Sequence, residues 1–170
     1  MYNYAYDKLT LLKSISIEKC VLQAKLIAFR GAIVIVCGAT DGLVRIYNHS
    51  TGDSQSWKAH DSGIDSMSIR QSENSIEIMT GGDDGAICLC HWDGETHEMI
   101  TRLDIHGSNV RGVSCQDLFS VSTDQRLYKY DSKLEIVQTA IVDVPDVSSF
   151  AVSQQHIAIV GHGMQIIEYI

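Results

Sequence analysis

Apolar and polar residues alternate along most of this chain in short runs, and each run ends in a cluster of turn-forming residues. In residues 43–47 (LVRIY), for example, apolar side chains stand at every second position, as in a strand with one buried side. No segment shows a sustained helical period with capping residues at both ends. The pattern therefore predicts an all-β protein built from many short strands.

One order of residues recurs: an apolar run, a turn of small residues and aspartate, and a second alternating run. It is found at residues 36–47, 79–90 and 121–130, with a more divergent copy at 157–169. The turn aspartates Asp41, Asp84 and Asp124 are 43 and 40 residues apart, a spacing typical of propeller blades with four strands each. Asp-Gly also favours a two-residue hairpin turn, because both positions tolerate positive φ.

A histidine precedes the second and third copies, at His60 and His106. Here the chain resembles the WD-repeat family, whose blades carry Gly-His near the start and Trp-Asp near the end. In that family a histidine, the turn aspartate, a strand hydroxyl and the tryptophan form a buried hydrogen-bonded tetrad. The resemblance assigns this structural role to His60, Thr80 and Asp84 in one blade and to His106, Ser120, Asp124 and Tyr130 in the next.

The tryptophan positions depart from the family pattern. Tyr47 and Tyr130 replace the tryptophan in the first and third copies, and Cys90 replaces it in the second. We therefore expect the second tetrad to lack its fourth member. Trp57 and Trp92 lie elsewhere, in an outer strand and at a turn, where they are equally compatible with packing and with anchoring a partner.

The period predicts about four blades. The units are 1–19, a last strand of a preceding blade with a linker, then blades at 20–58, 59–101 and 105–140, and an incomplete terminal blade at 147–170. A WD ring has about seven blades, within the usual range for propellers. We therefore expect the C-terminal part of a larger propeller, or a ring completed by copies of this chain. A closed four-bladed ring, with a strand near 8–14 pairing against 164–169, is a less favoured alternative.

The charge of the chain argues against direct binding of nucleic acid. Its 13 basic and 21 acidic residues give a formal net charge of −8, whereas phosphate recognition calls for a basic surface. A protein partner fits better. The apolar stretch at 32–37 is far shorter than the roughly 20 residues of a membrane span, and no signal peptide is evident. We expect a cytoplasmic protein with no membrane contact.

The five cysteines are odd in number and lie mostly in apolar runs, a pattern of reduced thiols in a reducing compartment. Cys88 and Cys90 share one side of a strand while His91 lies on the other, and no second ligand pair follows at zinc-finger spacing. We expect neither a metal nor another cofactor. Residues 81–85 (GGDDG) resemble a phosphate loop, but no lysine follows them, so we interpret them as a hairpin turn.

Catalysis is the least favoured class of function. His60 with Asp84, or His106 with Asp124, could stand beside a serine as in a hydrolase. These pairs, however, recur at the blade period, whereas a catalytic group is needed only once. The sequence therefore predicts a protein that is not an enzyme.

The second half carries a narrower resemblance, in four motifs at residues 106–112, 122–127, 143–148 and 161–165. They resemble the C-terminal end of the WD-repeat regulator of tRNA ribose methylation. That resemblance implies a non-catalytic partner of a tRNA 2′-O-ribose methyltransferase acting at the anticodon wobble position, with tRNA contacted only indirectly. It carries over Arg111, Asp124, Gln125 and Arg126 as loop or blade-rim positions, and it implies partner contacts for Arg111, Gln125 and Arg126. The alternative is a generic WD-repeat adaptor in trafficking, ubiquitin transfer or signalling.

Overall fold

The computed structural model describes residues 11 and 13–169, and all regular structure in this part of the chain is β-strand. The strands form four antiparallel sheets in chain order, which we number as blades 1 to 4. Blade 1 contains β1 (Val21–Phe29), β2 (Ala32–Ala39), β3 (Leu43–Asn48) and β4 (Ser54–Lys58). Blade 2 contains β5 (Ile64–Gln71), β6 (Ile76–Gly82), β7 (Ala86–Trp92) and β8 (His97–Asp104).

The last two blades follow the same plan, but blade 4 has three strands among the described residues. Blade 3 contains β9 (Val110–Ser114), β10 (Phe119–Ser122), β11 (Arg126–Tyr130) and β12 (Ile136–Ile141). Blade 4 contains β13 (Ser149–Val152), β14 (His156–Gly161) and β15 (Gly163–Glu168). Strand β8 ends three residues beyond its predicted unit and β12 one residue beyond. The strand predicted near 8–14 falls mostly outside the described residues.

The hairpin turns that contain the aspartates of blades 1 to 3 have three residues instead of the predicted two. In blade 1 the turn is formed by residues 40–42, and the N–H of Gly42 donates to the carbonyl oxygen of Ala39 at 3.1 Å. Only the last turn residue has a positive φ, at Gly42 (72°), Gly85 (76°) and Gln125 (63°). This is a type I turn followed by one left-handed residue. The aspartate of each turn therefore lies outside the left-handed region of φ.

The aspartates hold these turns through their side chains. Oδ1 of Asp41 accepts the N–H of Leu43 at 3.2 Å, and Oδ1 of Asp84 accepts that of Ala86 at 3.1 Å. Oδ1 of Asp124 makes the same bond at 3.0 Å with the first residue of β11. Such bonds from aspartate to the backbone two residues on stabilise tight turns. The three aspartates thus lie at equivalent corners of successive blades.

Each pair of neighbouring blades encloses one apolar cluster. Blades 1 and 2 bury residues of β2 and β3 against β6 and β7, and the tryptophans Trp57 and Trp92 lie in this cluster. A second cluster around Met79, Leu89 and Val113 joins blades 2 and 3. A third around Phe119, Ile157 and Ile159 joins blades 3 and 4. Because every sheet buries apolar side chains on the blade beside it, the sheets stack in chain order.

The first strands of the blades, β1, β5, β9 and β13, line a common channel of about 560 Å³. One end of the stack carries the turns at 40–42, 83–85 and 123–125 together with the connections between blades at 59–63, 105–109 and 142–148. We call this end the turn face. Asp84, Asp124, Gln125 and Arg126 lie at this end, whereas Trp92 and Tyr130 lie at the opposite ends of β7 and β11.

Candidate interaction site

The ring of His60 is fully buried in blade 2 and uses both of its nitrogens. Nδ1 lies 3.0 Å from Oδ1 of Asp84, and Nε2 lies 2.8 Å from Oγ1 of Thr80. Because an ionised carboxylate only accepts hydrogen bonds, Nδ1 carries the proton and the Thr80 hydroxyl donates to Nε2. Burial lowers the pKa of His60, while Asp84 acts in the opposite direction. The second carboxylate oxygen of Asp84 accepts the N–H of Asp61 at 2.8 Å.

Blade 3 repeats this network and extends it by one member. Nδ1 of His106 lies 3.1 Å from Oδ2 of Asp124, and Nε2 lies 2.7 Å from Oγ of Ser120. The hydroxyl of Tyr130 then lies 2.6 Å from the same Oγ. Hydrogen bonds therefore run from Tyr130 through Ser120 and His106 to Asp124. Burial raises the pKa of Tyr130 and lowers that of His106.

Blade 2 has no such fourth member, because its corresponding residue is Cys90. The indole N–H of Trp57, which comes from β4 of blade 1, instead donates to Sγ of Cys90 at 3.1 Å. Burial raises the pKa of the Cys90 thiol to about 11 and that of Cys88 to about 12. Both thiols are therefore protonated near neutral pH. Within residues 11 and 13–169, no three His, Cys, Asp or Glu side chains are placed to hold a metal ion.

These networks have no free reacting group. His60 and His106 each use both ring nitrogens inside a blade, and their side chains have no exposed surface. The serine beside His106 already donates to the ring and accepts from Tyr130. A nucleophile must reach a substrate, and this serine does not. The geometry fits a structural role in each blade.

The tryptophans are buried, so neither indole offers a surface to a partner. Trp57 stacks on the ring of His97, with ring centroids 4.4 Å apart. Trp92 packs against Phe29 at 5.2 Å and donates its N–H to Oε1 of Gln55 at 3.2 Å. The sequence left open whether these residues pack or anchor a partner. The structure supports packing, because each indole fills the space between blades 1 and 2.

Arg111 lies on β9 at the mouth of the channel, where it forms an ion pair. Its Nη1 atom is 2.6 Å from Oδ2 of Asp65, although Oδ2 has no well-aligned hydrogen bond. Burial, together with the nearby carboxylate of Asp83, raises the pKa of Asp65 to about 6, whereas Arg111 opposes the change. Asn109 donates to the carboxylate of Asp83. Arg111 is thus half-buried and already paired.

Gln125 and Arg126 lie at the exposed turn of blade 3, at the same end as Arg111. The carbonyl oxygen of Gln125 accepts the N–H of Val142 at 2.8 Å, which ties this turn to the connection leading into blade 4. The side chains of both turn residues point away from the interior. Of the three predicted contact residues, these two are accessible to a partner.

No motif in the sequence indicates the role of Arg102. Its guanidinium contacts Asp61 at 3.0 Å, Asp84 at 3.2 Å and Asp104 at 3.0 Å, and donates to the carbonyl oxygen of Ala59 at 3.0 Å. Arg102 reaches these groups because it pairs with Cys88 in the β7–β8 register. The role of Arg102 could not be predicted from the sequence without knowing that register. The arginine joins blade 2 to the connection that enters it.

Two solved structures bear on the fold. The crystal structure of the RRP9 WD40 repeats superposes with a TM-score of 0.72 and 13% identity, over 91% of this chain and 52% of that one. The computationally designed Ika4 protein gives the same TM-score with 14% identity, over 90% and 93% of the two chains. The fold is that of WD40 propeller blades. The match to RRP9 extends over about half of that propeller chain.

The similarity of this sequence to the sequences of known proteins is limited. No family model matches the chain. A stretch of 91 residues is 32% identical to Protein HIR1 of Yarrowia lipolytica (strain CLIB 122 / E 150), which covers 46% of this chain and 8% of that protein. The described residues contain no helix long and apolar enough to cross a membrane.

Proposed function

We propose that these WD40 blades are a non-catalytic scaffold that binds a protein partner on the turn face, in the cytoplasm. The observation that carries this proposal is the crowding of exposed carboxylates there. They belong to Asp61, whose side chain is 81% exposed, and to Asp83, Asp104, Asp143 and Asp146. Such a surface attracts a basic partner and repels phosphate.

The arginines on this face do not balance the carboxylates. Arg102 is shared among three aspartates, and Arg111 is paired with Asp65. Arg126 is the exposed arginine of the blade 3 turn. A direct grip on the tRNA backbone is therefore disfavoured, and a protein that itself holds RNA through basic residues suits this face better.

The partner that we propose is the catalytic subunit of a tRNA 2′-O-ribose methyltransferase acting at the anticodon wobble position. The motifs around Arg111 and Gln125–Arg126 support this choice, and in the structure they lie at one end of blade 3. The scaffold would supply no reacting group. It would hold enzyme and substrate in a fixed arrangement, which raises their effective concentration.

The test is calorimetric titration of the chain with the methyltransferase subunit of the same organism. We expect binding that weakens as salt increases, since exposed charges are screened. Charge reversal by Asp104→Lys with Asp143→Lys should weaken it at least about tenfold, roughly 1.4 kcal/mol. Glu73→Lys is the matched control, because Glu73 is an exposed carboxylate at the opposite end of the stack.

A second pair of variants examines the blade 3 turn. Gln125→Ala with Arg126→Ala should weaken binding, whereas Lys133→Ala, at the exposed opposite end of the same blade, should not. No association with the subunit would remove the tRNA-modification proposal and favour a generic adaptor in trafficking, ubiquitin transfer or signalling. Association whose affinity is unchanged by the charge reversals would indicate that the binding surface lies away from the turn face.

A further inference from the structure

The two end blades each have one apolar side that no other described blade covers. In blade 1 this side carries Leu26, which is 70% exposed, and Ile33, which is 43% exposed. In blade 4 it carries Met164 and Ile166, which are 69% and 62% exposed. Large apolar side chains exposed together on a sheet mark an interaction surface. We call these surfaces the leading side of blade 1 and the trailing side of blade 4.

The leading side of blade 1 repeats a surface that is buried elsewhere in the chain. When the turn aspartates Asp41 and Asp84 are aligned, Ile33 corresponds to Ile76 and Ile35 to Ile78 of blade 2. Those two isoleucines are fully buried, because blade 1 packs on them. The leading side of blade 1 is thus one half of a blade-to-blade interface. Residues 13–19 run along its outer part and leave Leu26 and Ile33 exposed.

The trailing side of blade 4 is the other half. Val160 pairs with Met164 next to the β14–β15 turn, as Val121 pairs with Leu127 next to the turn of blade 3. In blade 3 this pair is buried under blade 4. In blade 4 the pair next to the turn is exposed. The chain therefore presents both complementary halves of the interface that it forms three times internally.

We propose that the occupant of both surfaces is a second copy of this chain. The leading side of each copy packs on the trailing side of the other, and these two equivalent contacts close a ring of eight blades. The occupant follows from the equivalence above, since what each side fits is the complementary side of a blade of the same kind. A closed pair satisfies both sides at once.

The superposition on the RRP9 WD40 repeat structure covers 91% of this chain and 52% of that one. The four blades therefore match only a part of that structure, as expected for a stack with two uncovered ends. Eight blades lie within the range that propellers adopt. This inference concerns assembly and stands independently of the proposed partner.

The first experiment is the mass of the full chain in solution by light scattering over a range of concentrations. We expect twice the chain mass of 18.8 kDa. Ile33→Asp on the leading side and Met164→Lys on the trailing side should each give single chains with an unchanged β-sheet circular dichroism spectrum. Ile141→Asp should leave the dimer intact, because Ile141 is 76% exposed, more than either of these residues, but lies on β12 of blade 3.

Mixing the two variants gives the sharper result. In a mixed pair both substitutions fall in one of the two contacts, where their charges are opposite, and the other contact is unaltered. We therefore expect the mixture of Ile33→Asp and Met164→Lys chains to regain the doubled mass that neither forms alone. A folded wild-type chain with a mass of 18.8 kDa at every concentration would overturn the proposal, as would a mixture that stays monomeric.

Discussion

The hydroxyl oxygen of Tyr130 lies 2.6 Å from Oγ of Ser120, so a tyrosine supplies the last member of the blade 3 network. Its hydroxyl reaches the same serine that donates to His106. In blade 2 the corresponding Cys90 makes no such bond to Thr80, and its sulfur accepts from Trp57 instead. The two networks thus share a histidine and an aspartate and differ in how they end.

Removing this hydroxyl should destabilise the protein by about 1 kcal/mol, the usual net value of one hydrogen bond. The variant is Tyr130→Phe, measured by urea unfolding. Tyr128→Phe is the matched control in the same strand, because no hydrogen bond of the Tyr128 hydroxyl is found among the described residues. An equal loss in both variants would contradict a specific role for Tyr130.

The free energy of unfolding should decrease as pH falls below about 6.5. Burial lowers the pKa of His60 and His106 in the folded protein below the value of 6.5 expected when unfolded. The unfolded chain then binds more protons, so this contribution is complete above pH 6.5 and is lost progressively below it. Chemical unfolding at a series of pH values measures the slope. In the Asp65→Asn variant, which lacks the opposing carboxyl, a stability that stays constant from pH 7.5 to 5 would rule out neutral buried histidines.

The carboxyl of Asp65 should respond in opposite directions to changes in its two neighbours. Asp83→Asn should lower its pKa from about 6, because the carboxylate of Asp83 contributes to the rise. Arg111→Met should raise it, because the guanidinium favours the ionised form. Carboxyl carbon chemical shifts followed by NMR across a pH titration measure both changes. Shifts in the same direction would contradict the assignment.

The raised pKa of Asp65 also has a defined effect on stability. A folded-state pKa above the unfolded value means that the folded protein binds the proton more tightly. This contribution is therefore complete below about pH 3.8 and is lost as pH rises through about 6. It opposes the trend set by the histidines, and Asp65→Asn should remove it.

Substitution of Gly42 should be far more destabilising than substitution of Gly31. Both residues have positive φ, 72° and 77°. A Cβ atom at Gly42 would lie 2.0 Å from the carbonyl oxygen of His60, whereas one at Gly31 would meet nothing within 4 Å. We expect Gly31→Ala to cost about 1 kcal/mol from backbone strain alone, and Gly42→Ala about 3 kcal/mol or more. Similar losses in thermal unfolding would show that the turn adjusts freely.

Cys20 should react with iodoacetamide well before the other cysteines. It is exposed, while the remaining four are buried. Burial raises the pKa of Cys115 to about 11, as it does for Cys90, so little reactive thiolate is present near neutral pH. Peptide mapping by mass spectrometry after short labelling should find Cys20 modified, and urea should release the rest. Early modification of Cys88 would contradict its burial under Ala59.

The recurring turns were enough to predict the blades. Asp41, Asp84 and Asp124 mark equivalent corners because an aspartate that bonds forward to the backbone stabilises a turn wherever it recurs. The loop length was wrong by one residue. Asp-Gly suits both two-residue and three-residue turns, and Gln125 takes the left-handed position without being glycine.

Contacts between blades were much harder to predict than the blades themselves. The pairing of Asp65 with Arg111 joins β5 to β9, and Trp57 reaches Cys90 in the next blade. Both depend on how one sheet is placed against another, which periodicity within a strand does not specify. For the same reason, the sequence did not decide whether the two tryptophans pack between blades or contact a partner. An outer strand is exposed or covered according to its neighbour.

His60 is held by two blades at once. Its backbone N–H donates to the carbonyl oxygen of Gly42 in the blade 1 turn at 3.1 Å, while its ring bonds to Thr80 and Asp84 of blade 2. The N–H of His106 is tied to Gly85 in the same way. A shortened chain that begins after residue 58 would therefore still contain every strand of blade 2. It would lose the hydrogen bond to Gly42 that holds His60, the histidine on which the blade 2 network depends. Deletion of one blade should therefore destabilise the next. The sequence unit that is duplicated in such a chain is thus offset from the sheets, because it begins in one blade and ends in the following one.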